Sequence, residues 1–356
     1  MQAPYSRRKA SDPTFAPANS IPPRAILLVK TSSLGDVVHN LPVASDLAVR
    51  YPEARIDWVV EEGFAEIPRL HPAVSRVIVV ALRRWRRQLF SASTWRELAA
   101  FRRELQTDAY DLVVDTQGLV KSALIARLAR LSPGGRRVGY AAEAAREPLA
   151  ARFYDAGMAI PKNLHAVERN RWLAAAACNA LPDLPFAYGI AAEPLAAPWL
   201  PAGPYAVLFT ATSRADKGWP DADWIALGGR LAALGLSLVL PAGSKSEREA
   251  ATHLAGGMAD ARVAPPLSIS AVAGLVAGAR LVIGVDTGLT HLAAALGRPT
   301  LALFSASEPT LTGVYDGAHA GNRVRNLGAR GRPPSAAEAI AAAEELLVSA
   351  GSGASG

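Results

Sequence analysis

Residues 281–304 read LVIGVDTGLTHLAAALGRPTLALF. Five apolar residues run into Asp286, Thr287 and Gly288 open an alanine-rich helical stretch carrying His291, and a second apolar run follows from Thr300 to Phe304. A helix-length crossover between two such runs lays them side by side as parallel strands. Their apolar residues are continuous rather than alternating, so both faces of the sheet are covered. The fold class is α/β.

Working outward, the same rhythm fills the chain. AILLVK (25–30), RIDWVV (55–60), RVIVV (76–80) and DLVVD (111–115) are strand-like, with helical stretches such as DVVHNLPVASDLAVRY and LVKSALIARLARL between them. The rhythm stalls in the proline-rich LPDLPFAYGIAAEPLAAPWLPAGPY (181–205) and resumes with YAVLFT (205–210), LSLVL (236–240), LVIGVD and TLALF. This predicts two doubly wound parallel-sheet domains, 25–190 and 205–349, joined by a linker at 191–204 and facing a central cleft. Residues 1–24 read as a disordered arm and 350–356 as a flexible tail. The closing stretch SAAEAIAAAEELLVS is expected to pack across one domain or to bridge to the other.

Composition narrows the function. At 356 residues the chain is long enough for two cores, and half its residues are hydrophobic with few aromatics, so burial falls to Ala, Leu and Val. A formal charge of +7 favours an anionic partner. The single Cys178 permits no internal disulfide, which fits a reducing compartment. The most apolar stretch, SISAVAGLVAGARLVIGV, is interrupted by Arg280 and resolves into a short helix and a strand, so no membrane span is expected.

Ligands of doubly wound sheets bind beyond the carboxyl ends of the strands, which makes position relative to a strand end the test for each candidate residue. Asp286, Thr287 and Gly288 stand at one such end, where free amides and the positive end of a helix dipole suit a phosphate, and His291 is one turn further on. Asp286 also has a plainer reading as a helix cap. ATSRADKGWP offers Thr212, Ser213 and Lys217 in a loop, and AGSKSERE places Glu247 where a carboxylate accepts bonds from a ribose diol. In the first half, VKTSSLGD supplies Lys30, Ser33, Gly35 and Asp36, the last a candidate general base or a helix cap. This loop matches neither the dinucleotide fingerprint nor the P-loop, which argues against an oxidoreductase and a P-loop nucleotidase. LRRWRRQLF sets Arg83, Arg84, Arg86 and Arg87 around Trp85. These guanidinium groups suit carboxylates and phosphates. No zinc finger, helix-turn-helix or RNP-like pattern accompanies them, so nucleic acid is not expected as a partner. DAD at 221–223 reads as the acidic first turn of a helix, and His39, His71, His165, His253, His291 and His319 show no zinc spacing.

The runs LLVKTSSLGDVVHNLPV, IDWVVEEGFAEIP, LRRWRRQLFS, DTQGLVKSALIARLA, AREPLA, HAVERNR, ATSRADKGWP and VDTGLTHLAAALGRP, in that order, resemble the lipopolysaccharide heptosyltransferases of glycosyltransferase family 9. The likeness spans about residues 25–320 and is greatest for the group that adds the first heptose. It implies a GT-B architecture of two Rossmann-like domains, the acceptor on the first and the nucleotide sugar on the second. The donor would be ADP-heptose, the acceptor the Kdo sugar of Kdo-lipid A, and the anomeric centre would invert. Carried over by motif, the catalytic base falls on Asp36 and the phosphate-binding lysine on Lys217. Donor contacts fall on Thr212, Ser213, Glu247, Asp286, Thr287, Gly288 and His291. Lys30, Ser33, Gly35, Arg83, Arg84 and Arg86 are expected on the acceptor side. No metal and no further cofactor are expected. The substrate implies work at the cytoplasmic face of the inner membrane, held there by basic residues. A transferase acting on a heptose acceptor and a non-catalytic nucleotide-sugar binder remain as alternatives.

Overall fold

The computed structural model describes residues 22–212, 214–317 and 323–352. Twelve strands are found there: β1 Ala25–Val29, β2 Arg55–Glu61, β3 Val74–Val80, β4 Tyr110–Asp115, β5 Leu131–Tyr140, β6 Ala156–Met158, β7 Tyr205–Phe209, β8 Ser237–Leu240, β9 Ala261–Val263, β10 Leu281–Val285, β11 Thr300–Phe304 and β12 Val324–Gly328. They form two six-stranded sheets, β3-β2-β1-β4-β5-β6 and β12-β11-β10-β7-β8-β9. Every pairing between these strands is parallel. Numbered from its own first strand, each sheet has the same order, so each has its switch point between its first and fourth strands.

Side-chain alternation builds a core on both faces of each sheet. In β1, Ile26 and Leu28 pack on one face and Leu27 and Val29 on the other, all fully buried. In β7, Ala206 and Leu208 divide from Val207 and Phe209 in the same way. This is why these strands read as unbroken apolar runs.

Several expectations are corrected. The stretch expected as one helix after β1 is two, Leu34–Val38 and Leu41–Arg50, broken at His39–Asn40 just before Pro42. The last helix, Ala336–Ser352, runs through the first three residues of the expected tail. It packs its alanines and Leu346 into the second domain's core, the first of the two expected placements. The proline-rich linker has no helix or strand from Leu181 to Pro204, yet it is not a loose tether. Phe186, Tyr188, Ile190 and Ala192 pack on the first domain, and Leu195, Trp199 and Leu200 on the second. The expected arm lies outside the described residues up to position 21.

The domains also meet directly. Ala273, Leu292 and Ala295 of the second join the first domain's core. Glu66 accepts a bond of 2.7 Å from the Ser270 amide at the start of helix Ile269–Gly278. Helix Leu34–Val38 crosses helix Gly288–Ala295 through two glycines: a Cβ on Gly288 would stand 2.2 Å from Leu34 Cδ2 and 2.8 Å from the Gly35 amide.

Candidate active site

The carboxyl ends of both sheets border one cavity of about 690 Å³ between the domains. Ser33, Gly35, Asp36 and Arg83 contribute to the first domain's wall, and Thr212, Lys217, Glu247, Asp286, Thr287, Gly288 and His291 to the second's. Ser213 lies outside the described residues, as does His319.

Asp286 sits just beyond β10, before Thr287, which is the N-cap of helix Gly288–Ala295 and makes no side-chain cap bond. The first amides of that helix are thus left open toward the cavity, an arrangement suited to an anion. Asp286 is not the cap. Its Oδ2 receives Lys217 Nζ at 2.6 Å and also the Ser307 hydroxyl, and Oδ1 lies 3.6 Å from His291 Nε2. Burial opposes ionisation of this carboxyl, but the hydrogen bonds from His291, Lys217 and Ser307 outweigh it and hold the group well below the usual carboxylate range. Lys217, expected as the phosphate-binding lysine, is therefore paired with Asp286. An ammonium has three donors, so two remain for a ligand.

Across the cavity, Asp36 is the third residue of its short helix. Its Oδ2 accepts from the Ser33 amide at 2.9 Å and the Ser33 hydroxyl at 3.0 Å, with Arg146 Nη1 at 3.8 Å. Burial raises its pKa, yet the charges of Lys30 and Arg146 and the Ser33 bonds bring it below the ordinary value. Asp36 closes the capping box of its helix with Ser33 and also lines the cavity. Arg146 was not assigned a role from sequence. It lies in AREPLA, in the segment after β5, whose sequence is not an apolar run that would have marked it, and the fold brings it to the cavity wall.

The other acceptor-side expectations divide. Arg83 lines the cavity and its guanidinium stands 5.2 Å over the Phe64 ring. Arg84 is instead held by Glu62 at 3.0 Å and Glu97 at 2.8 Å. Arg86 is exposed and outside the lining. Trp85, expected amid the arginines, is buried against Phe101 with its indole donating to Glu97 at 2.7 Å. Lys30 is buried below the wall, its Nζ donating to the Thr116 carbonyl at 2.9 Å, so it reaches the cavity only through its charge on Asp36.

Two further wall residues have partners of their own. The space left by the missing Cβ of Gly288 is filled by Leu34 and Gly35. Glu247 lines the cavity, and its Oε2 accepts from the amides of Gly243 and Ser244 at 2.9 Å each, which fixes the loop after β8. The histidines are also less scattered than their numbers suggest. His39 Nε2 lies 3.1 Å from His291 Nδ1 across the domain boundary, and the His165 ring packs edge-on to His39. Burial and the two neighbouring histidines hold His39 well below its ordinary pKa. Among the described residues, no group of three His, Cys, Asp or Glu is placed to hold a metal ion. Asp221 and Asp223 lie in the first turn of helix Asp221–Ala233.

Two sheets of identical order, closing on one cavity with an open helix terminus on one wall and a carboxylate on the other, define a two-domain sugar transferase of the GT-B type. Residues 98–335 match glycosyltransferase family 9 (heptosyltransferase). Lipopolysaccharide heptosyltransferase 1 of Pseudomonas aeruginosa is 48% identical over 291 residues, covering 82% of this chain and 81% of that protein. The E. coli heptosyltransferase WaaC with ADP superposes with a TM-score of 0.82 at 43% identity, covering 90% of this chain and 99% of that one. WaaC with ADP-2-deoxy-2-fluoro heptose gives 0.75 at 42%, covering 91% and 98%. The chain belongs to glycosyltransferase family 9 and is a heptosyltransferase.

Proposed function

We propose that this enzyme moves L-glycero-D-manno-heptose from ADP-heptose to the Kdo of Kdo-lipid A, the first heptose transfer of the lipopolysaccharide inner core, with inversion at the anomeric carbon. The observation that carries the reading is the pair of opposed walls: Asp36 on one, Lys217 and the open amides of helix Gly288–Ala295 on the other.

An acceptor hydroxyl is a weak nucleophile. Asp36, held ionised, takes its proton as the oxygen attacks the anomeric carbon. The bond from that carbon to the ADP oxygen breaks on the opposite face, and ADP leaves with the electron pair. The negative charge that develops there is met by Lys217 and by the helix terminus, which stand ready before the reaction and need no reorganisation. Asp286 aims Lys217, and His291, braced by His39, aims Asp286. Thr212 and Glu247 belong to the donor wall. Arg83 and Arg146 offer guanidinium groups to the carboxylate and phosphates of the acceptor. The acceptor is anchored in a bilayer, and no described helix is long and apolar enough to cross one. The enzyme therefore works from the cytoplasmic face of the inner membrane as a peripheral protein.

The test is transfer from ADP-heptose to Kdo-lipid A by wild type and Asp36→Asn, read by mass spectrometry, with the anomeric configuration of the product read by NMR. Wild type should transfer and the variant should lose about a thousandfold or more in rate while still binding ADP. Full transfer by the variant, or preference for an acceptor already carrying heptose, defeats the reading. Activity should persist in chelator. Its abolition there with rescue by magnesium would overturn the metal-free mechanism.

A further inference from the structure

The surface beside the acceptor wall carries an apolar cluster that the transfer chemistry does not use. Phe90 is fully exposed, with a relative accessibility of 104%, and its neighbours Trp95 and Leu89 are 62% and 49% exposed. Single exposed hydrophobics are ordinary, but three together are not. The cluster is built to stay out. Trp95 Nε1 donates to the Leu89 carbonyl at 2.9 Å, and Ser91 caps helix Ala92–Leu105 from between them. Beneath it, Glu97 holds both Arg84 and the buried Trp85. Folding the tip inward would break the Trp95–Leu89 bond.

The surroundings are basic. Residues 82–103 hold seven arginines against one acidic residue, Glu97. Arg86, Arg87 and Arg96 are exposed beside the tip, and Arg102 and Arg103 are exposed further along the same helix. Exposed aromatics ringed by cations match the boundary between lipid headgroups and acyl chains, where an aromatic ring is half solvated and anionic headgroups attract arginine. The match to a charged protein or a nucleic acid is poorer, because neither gives Phe90 an apolar phase to enter.

We propose that Leu89, Phe90 and Trp95, with Arg86, Arg87 and Arg96, form a docking surface that inserts into an anionic lipid bilayer. This deepens the reading of a membrane-anchored acceptor and rests on it. Arg83 lines the cavity only seven residues before Phe90, so docking here brings the acceptor wall close to the bilayer. Attachment then has two parts, an electrostatic one that salt screens and an apolar one that it does not.

The experiment is flotation of the full chain with vesicles of phosphatidylethanolamine and phosphatidylglycerol, and with vesicles of phosphatidylcholine alone, at physiological and high salt. Wild type should float with the anionic vesicles and retain a fraction at high salt. The double variant Leu89→Ser, Phe90→Ser should bind roughly tenfold or more weakly, with its melting temperature and ADP affinity unchanged. Lipids brominated on the acyl chain should quench part of the tryptophan fluorescence, and Trp95→Phe should remove that part. Flotation of the double variant equal to wild type, no flotation of wild type, or displacement from vesicles by an RNA oligonucleotide would each sink the proposal. Transfer to a deacylated, water-soluble Kdo acceptor, run in parallel, keeps the two readings apart. Its loss in wild type counts against the assigned reaction, whereas its persistence without flotation counts against the docking surface alone.

Discussion

The same dipeptide stands at the carboxyl end of each sheet's fourth strand, Asp115-Thr116 in the first domain and Asp286-Thr287 in the second, and the two carboxylates do opposite things. Asp115 is fully buried and turned on its own loop, accepting from the Gln117 amide at 2.8 Å and the Tyr154 hydroxyl at 2.7 Å. Burial pushes its pKa up despite those bonds. Asp286 instead reaches out to a lysine from a different strand's loop and is held ionised. The helices that follow differ in step. After Thr116 the chain continues to Leu119 before its helix starts, and Glu147 plugs the new terminus by accepting from the Val120 amide at 2.6 Å. After Thr287 the helix starts at once, and no side chain caps it. A shared motif at a shared place in the fold is therefore a structural brace in one domain and part of the cavity wall in the other. What decides between them is whether the chain closes its own helix terminus.

The largest break in that comparison should come from Asp286→Ala. It leaves Lys217 without its partner and should cost about a hundredfold in transfer rate, near 3 kcal/mol of barrier, with weaker ADP binding by calorimetry. The mirror variant Asp115→Ala should cost roughly 1–3 kcal/mol of stability in urea unfolding, because the Tyr154 hydroxyl and a loop amide lose their acceptor. Turnover per folded molecule should change little. If Asp115→Ala lost rate as Asp286→Ala does, the division into brace and cavity wall would be wrong. Gly288→Ala should cost about 1–3 kcal/mol through the clash with Leu34, seen as a lower melting temperature together with weaker coupling of the two walls, read as a loss in kcat.

The smallest effect is in pH dependence, and it has opposite signs at the two sites. The folded pKa of Asp286 is lowered, so its contribution to stability is present above the unfolded value of about 3.9 and is lost as pH falls below it. Asp286→Asn should flatten the acid limb of the stability curve. The folded pKa of Asp115 is raised, so its contribution is full below about 3.9 and fades as pH climbs through the folded value. Asp115→Asn should therefore make stability rise more steeply with pH above that point. Urea midpoints measured for both variants across acid to neutral pH would reveal the two signs, and slopes that change in the same direction would contradict them.

Eight of the twelve strands were legible as apolar runs: seven of them lie inside their sheets, where both faces are covered, and β3, at an edge, was legible from its β-branched RVIVV. The four that were not are β5, β6, β9 and β12. β6 and β9 have three residues each, too few for any period, and both lie at sheet edges with β12. β5 reads LSPGGRRVGY, where Pro133, three glycines and two arginines hide a strand that only its pairing with β4 and β6 defines. The cavity's residues were legible individually because strand ends are predictable places. Their partnerships were not, since Lys217 and Asp286 are 69 residues apart and His39 and His291 are 252 apart. The arginine block divides for a related reason. Spacing says that Arg83, Arg84 and Arg86 are near one another, but only the positions of Glu62 and Glu97 say which of them is already engaged.

The bond between Lys217 and Asp286 bears on which solutes this enzyme ignores. Inorganic phosphate is a common solute in cells, and a bare ammonium in a half-buried recess would compete for it. A carboxylate already seated on that ammonium competes with every stray oxyanion, so only a molecule gripped elsewhere as well, at its base, ribose or sugar, gains enough to stay.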